Sequence, residues 1–372
     1  MLYNGPSTAL VALCLSRRIR AVGPMVLLFL ILGLLGSDAL LAIVGSTDVF
    51  LRGAVTAGGW FGLGGVGTFF AMILIGFAAF AVIGAGLLAF IRRRYEAKHL
   101  SDESLTIDTV WWLFVFGHAV GLAFEHPLAP LGGIVAMAAF KIVTRVGFAR
   151  RTDVGSARKL LLLRSFSIGA RSERLFDTLE KHWRRVGSIQ MIAGADLATR
   201  TVEPHEFLDF VTGRLARRFI DRPATLDRRL REMDLLPDRD GRYRVNDFFC
   251  YDDTWRTVLS SLVHQSDAVL MDLRGFSRRN AGCVFEIGEL FRLVPLDRVL
   301  FIVDRETDSA FLDQTFGRAA ALASVGSAPG VGSQAQPRLF TYTPLDMRTL
   351  EHLLRALAAA AGSRATRVRA AY

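Results

Sequence analysis

Cysteine is scarce in this chain, and its few copies are scattered. The 372 residues hold Cys14, Cys250 and Cys283, an odd number at spacings that suit neither a disulfide framework nor a zinc site. His182, His205, His264 and His352 also lack metal-ligand spacing. No G-x-S-x-G elbow and no P-loop occurs, which excludes nucleophile-elbow hydrolases and P-loop ATP hydrolysis. Long basic runs are missing too. The excess of 45 Lys plus Arg over 35 Asp plus Glu, net +10, includes pairs such as Arg184-Arg185, Arg217-Arg218 and Arg228-Arg229 set among carboxylates. That pattern suits anionic lipid headgroups and leaves no nucleic-acid footprint.

Long stretches before Arg151 lack charge, and that absence is itself a signal. Hydrophobic residues form 51% of the chain, its mean hydropathy is +0.33, and the apolar runs crowd into this half. Pro24 to Val44 is broken only by Asp38, and Gly67 to Ile91 carries no charge. Val110 to Phe124 and Leu128 to Val143 are shorter. Since about 20 apolar residues cross a bilayer, residues 1–151 read as an α-helical membrane domain with spans at about 24–44, 67–91, 108–125 and 127–145. Arg17, Arg18 and Arg20 precede the first span, Arg92-Arg93-Arg94 follow the second, and Lys141, Arg145, Arg150 and Arg151 close the fourth. The opposite loops contain only Arg52 as a cation, so the positive-inside rule places both termini in the cytoplasm. The stretch before Arg17 puts its basic residues after its apolar part, the reverse of a cleavable signal.

Three features of this half invite other readings. Gly62-Leu63-Gly64-Gly65-Val66-Gly67 matches G-x-G-x-x-G by letter, but it follows no strand and enters a span, so it reads as a linker. Gly117 and Gly121 form a G-x-x-x-G that can seat a helix crossing. Asp38 and His118 are ionisable groups within apolar runs, but no second carboxylate aligns with them to form an ion path.

From Lys159 the grammar changes to short apolar runs alternating with amphipathic helices. Strands are expected at Lys159 to Leu163, Ser188 to Ile192, Ala268 to Leu273, Arg298 to Val303 and Arg338 to Tyr342, with an extended piece at Tyr243 to Cys250. Helices are expected at Arg171 to Val186, Pro204 to Ile220, from an Asp252 or Asp253 cap to His264, and at Gly282 to Leu293, Asp308 to Ala323 and Leu345 to Ala361. A basic tail, 362–372, follows. This alternation predicts a doubly wound parallel sheet over 152–361, with its ligand crevice at the carboxyl ends of the strands. Arg164-Ser165-Phe166 and the loop from Asp272 to Asn280 fall there.

These same residues carry a resemblance. Leu160 to Ser167, reading Leu-Leu-Leu-Leu-Arg-Ser-Phe-Ser, resembles the "YLRSFxDD" opening of a group of bacterial membrane-anchored proteins. Asp252-Asp253-Thr254-Trp255 resembles the group's Asp-Asp-x-Trp helix start, and Phe285-Glu286-Ile287 its "W-E-L" helix. More distantly, the stretch from about 159 to 305 is similar to the TIR and nucleoside 2-deoxyribosyltransferase-like superfamilies. The chain departs from these patterns at Ile168-Gly169-Ala170, where the group has paired acids, at Phe285 in place of Trp, and in an insertion over about Thr199 to Asp247.

The resemblance implies a flavodoxin-like sheet with a glutamate on a helix after the corresponding strand. It implies recognition of an NAD-like nucleotide or nucleoside, with cleavage of its N-glycosidic bond as the associated reaction, and no cofactor or metal. A carboxylate in such a reaction stabilises an oxocarbenium-like charge, holds ribose hydroxyls, or attacks as nucleophile. Glu286 or Glu289 fits that role. Asp272 could orient a sugar hydroxyl or fix its own loop, Arg164, Arg274 and Arg278 could hold phosphates, and Ser165, Phe166, Ser277 and Asn280 would complete the ligand loop. Trp255 would stack on a base or belong to the core, and Glu286 could instead cap its helix. The expected setting is a bacterial plasma membrane, with the lipid bilayer and a homo-oligomer as partners. The competing reading is a non-enzymatic module that assembles to signal.

Overall fold

The computed structural model describes residues 23–101, 104–105, 108, 111, 129–149, 158–164, 170–193, 218–326, 336–342 and 347–370. These belong to a helical unit and an α/β unit, divided between Arg151 and Thr152.

The helical unit contains α1 (Gly23–Gly45), α2 (Asp48–Trp60), α3 (Gly65–Glu96) and α4 (Ala129–Ala149). By length and composition, α1 and α3 can cross a membrane, over Val26–Gly45 and Gly65–Glu96. They pack where both lack side chains. A Cβ added at Gly36 would lie 2.4 Å from the Gly76 carbonyl oxygen, and one at Gly76 2.5 Å from that of Gly36. Ser37 Oγ also donates to the Ile73 carbonyl oxygen across this contact, at 2.9 Å. Small residues thus let two apolar helices approach closely. The Gly117-x-x-x-Gly121 motif, His118 and nearly all of the third expected span lie outside the described residues. The fourth coincides with α4, whose apolar stretch is shorter, Leu131–Val143. Within it Lys141 pairs with Asp108. Helix α2 occupies a connection where no helix was expected, and Gly62 turns the chain out of it at a φ of +70°. The glycine-rich letter match is therefore a helix-to-helix link.

The α/β unit runs β1 (Arg158–Arg164), α5 (Ala170–Trp183), β2 (Gly187–Ala193), α6 (Pro223–Arg231), β3 (Val245–Phe249), α7 (Trp255–Gln265), β4 (Ala268–Asp272), α8 (Ala281–Leu293), β5 (Val299–Val303), α9 (Ser309–Gly326), β6 (Arg338–Thr341) and α10 (Met347–Ala370). All six strands are parallel, in the order β3-β2-β1-β4-β5-β6. Period-two alternation explains why near-continuous apolar strands build two cores. Leu161, Leu163, Val269, Met271, Val299 and Phe301 pack with α6, α7, α8 and α9. Leu160, Leu162, Ala268, Leu270, Leu300 and Ile302 pack against α5 and α10 on the opposite face.

The order matches the doubly wound 3-2-1-4-5-6 arrangement. Without β3 the other five strands keep the 2-1-3-4-5 order of flavodoxin-like sheets. The insertion therefore ends by adding one edge strand, extended by an Ile220–Cys250 bridge. Helix α6, also in the insertion, was not foreseen, although Pro223 is a standard start signal. Most of the expected Pro204 to Ile220 helix falls outside the described residues. Several boundaries differ from expectation, among them the start of α7 and the end of α10. Helix α7 has Thr254 at its N-cap, because Asp252 and Asp253 lie in the preceding turn closed by Thr254 N–H and Trp255 N–H on the Tyr251 carbonyl. Helix α10 passes Ala361 into the segment read as a tail, where alanines and arginines favour helix.

Candidate functional site

Strand order reverses around β1, which has β2 on one side and β4 on the other. A doubly wound sheet presents its crevice at such a point, beyond the carboxyl strand ends. Arg164 closes β1 in register with Asp272, the last residue of β4. Ser165 and Phe166, expected to line this point, lie outside the described residues.

The loop after β4 is tied by its own polar groups. Asp272 is completely buried and Arg274 nearly so. The Arg274 Nε and Nη2 donate to the two Asp272 carboxylate oxygens at 2.8 and 2.7 Å, and the Arg274 backbone N–H donates at 3.2 Å. The guanidinium also lies 4.4 Å from the centre of the Tyr342 ring. Burial works to lower the Arg274 pKa, but the hydrogen bond and charge of Asp272 hold it above the ordinary value. Asp272 thus fixes its own loop, the structural alternative weighed for it above. Arg274, expected at a phosphate, has its charge neutralised within the fold.

Gly275 then adopts a φ of +65°, a conformation that a side chain disfavours, and its N–H donates to Asp304 Oδ1 at 2.9 Å. The same oxygen accepts from the Thr307 hydroxyl at 3.1 Å and the Glu306 N–H at 3.1 Å. Ser277 and Asn280 do come together, with Ser277 N–H donating to Asn280 Oδ1 at 2.9 Å. Their contact closes the turn into α8. The sequence reading missed Asp304 and Tyr342. Asp304 had a visible signal, because it follows the apolar run of β5 as Asp272 ends that of β4. Tyr342 had none, since its partner stands 68 residues away (342 − 274).

Helix α8 begins at Ala281 with Asn280 at the N-cap and no acidic residue in its first turn. Glu286 therefore sits in the second turn and cannot cap the helix. Cys283, Glu286, Ile287 and Leu290 form its buried stripe, a spacing that faces one side of a helix. A carboxyl group thus occupies a position where an apolar side chain is expected. Glu286 is 6% exposed, its Oε2 has no hydrogen-bond partner among the described residues, and burial pushes its pKa up to about 8. At neutral pH this group is mostly the protonated acid.

Glu289 meets other conditions. Ser260 Oγ donates to it at 2.7 Å, and Arg292 Nη2 and Nε donate at 2.7 and 3.1 Å. Burial pushes its carboxyl up, but the Arg292 and Ser260 bonds more than offset that and leave it below the ordinary value. It joins α8 to α7. Phe285 packs edge-on against Trp255, with ring centres 5.3 Å apart, and Arg256 lies over both rings. Trp255 is thereby engaged in helix packing, and Phe285 fills the position where the resembling group has Trp.

No family model, curated protein or solved structure matches the chain. The functional reading rests on the site itself.

Proposed function

We propose that this chain is a membrane-tethered protein whose cytoplasmic α/β unit recognises a nucleotide or nucleoside of the NAD type at the carboxyl ends of β1 and β4. Glu286 supplies the carboxyl group for cleaving its N-glycosidic bond. One observation carries this reading: a buried carboxyl oxygen without a partner, on the helix that follows the switch-point strand. An unsatisfied buried polar group costs about 1–3 kcal/mol, and such costs concentrate where a site is kept ready for a ligand. In the reaction the C1′–N bond breaks with its electron pair leaving on the base. Water adds to C1′ and releases a proton to solvent. Glu286 gives its proton to solvent as the positively charged sugar develops, its carboxylate stabilises that charge, and it takes a proton back from solvent once water has added.

The tether is read as four spans with both termini cytoplasmic. Support comes from the length and apolarity of α1 and α3 and from the arginines that flank them.

The test is incubation of the purified chain in detergent with NAD and related nucleotides. Release of free base by the native chain, abolished in a folded Glu286→Gln variant, supports the reading. Silence at high protein concentration, accompanied by self-association, rejects the enzyme and favours the interaction module.

A further inference from the structure

Helix α2 is built inside out for a helix in water. Its partly or fully buried positions are Ala54, Ala57 and Gly58. Gly58 sits so close to α3 that an added Cβ would fall 2.0 Å from Thr68 Oγ1. Its large apolar side chains Val49, Phe50, Leu51 and Val55 point outward, and so do Trp60 and Phe61 at its end, 82% and 81% exposed. Asp48, Arg52 and Thr56 recur every fourth residue, so its polar groups form a single stripe. The helix is anchored at both ends. Thr47 caps it by accepting from Phe50 N–H at 3.3 Å, and Gly62 makes the left-handed turn that leads to α3.

Exposed apolar surface of this kind marks an interaction site. Several features identify lipid as its occupant. Phe69 and Phe70, in the first turns of α3, are exposed as well. At 13 residues, α2 spans about 20 Å, too short for a hydrocarbon core of about 30 Å. Tryptophan at a helix end is the usual anchor at the headgroup level. One Asp and one Arg cancel in charge, so attraction to anionic lipid is not required.

We propose that α2, with Trp60 and Phe61, is an interfacial helix seated at the headgroup–acyl boundary of the non-cytoplasmic leaflet, with its Asp48-Arg52-Thr56 stripe facing water. This rests on the membrane reading of α1 and α3 above, and adds to it a contact with the bilayer that does not cross.

The experiment uses the full chain in phosphatidylcholine vesicles and takes the Trp60 signal as the difference in fluorescence between the native chain and Trp60→Phe. Lipids brominated near the headgroup end of the acyl chain should quench that signal several-fold more than lipids brominated at the chain terminus, and aqueous iodide should barely affect it. A spin label at Val55→Cys should collide with oxygen, and one at Thr56→Cys with a water-soluble nickel chelate. Iodide quenching as strong as for free tryptophan would overturn the proposal. So would deep bromines quenching best, or protection from every quencher, which would mean burial in a second copy. If alkaline carbonate strips the chain from the vesicles, the membrane reading fails as well. A carbonate-resistant chain with an iodide-accessible Trp60 defeats only this inference.

Discussion

Glu286 and Glu289 share α8 one turn apart and have opposite electrostatic fates. The first is buried with a carboxyl oxygen that nothing contacts by hydrogen bond, and the second is held by Ser260 and Arg292. Helical periodicity makes the two residues near neighbours. Only the packing of α7 beside α8 supplies Ser260 to one and not to the other.

Stability should depend on pH through Glu286. Its folded pKa, about 8, lies above the ordinary 4.5, so the folded chain keeps a proton that the unfolded chain has released. The contribution of this group to stability is therefore greatest below about pH 4.5 and falls until about pH 8, by at most about 5 kcal/mol. Glu286→Gln should flatten that fall, as measured by denaturant unfolding across the window. An unchanged slope would show that the carboxyl is not held in its protonated form.

Glu289→Gln should behave differently. Its Arg292 partner is more than half exposed, so losing the pair should cost less than about 1 kcal/mol. Base release from a nucleotide should be unaffected. Loss of activity in this variant with Glu286 intact would move the site by one turn.

Asp272 and Arg274 should show strong coupling. Removing one member of a buried pair strands the other, at a cost of about 3–5 kcal/mol, whereas replacing both with apolar residues costs far less. The measurement is a double-mutant cycle with Asp272→Leu and Arg274→Met. Additive losses would mean that the pair is open to water.

Gly275→Ala tests the loop geometry alone, because an added Cβ meets nothing within 4 Å. The left-handed backbone should by itself cost about 1–2 kcal/mol, seen as a lower unfolding midpoint. A neutral result would show that the loop readily adopts another conformation.

Gly76→Ile should separate α1 from α3, because even a Cβ there would meet the Gly36 carbonyl oxygen. Cysteines placed at Ser37 and Ile73, neighbours across this contact, should cross-link in the native background and lose the link in the variant. Retention of the link would place the crossing elsewhere.

The sequence by itself determined the strands and the long apolar helices, though not α2 or α6. Four leucines in Leu160 to Leu163 have no partner-independent fate except burial on both sides, and they make β1. Apolar runs of more than 20 residues dictate helices such as α1 and α3, and the arginines that close α3 were visible as flanking charges. Local chemistry of this kind acts over a few residues, so a linear reading can find it. The pairings required the tertiary structure. That the insertion ends in the edge strand β3, that Arg274 is spent on Asp272 and Tyr342, that Asp304 organises the loop after β4, and that the glycine contact of α1 with α3 runs through Gly36 and Gly76 each depends on residues far apart in the chain. Whether a side chain is free or engaged is set by what the fold brings within about 3 Å of it, and periodicity holds no record of that distance. Glu286 could be named from its place after β4, and only packing decided that its Oε2 would lack a hydrogen-bond partner among the described residues.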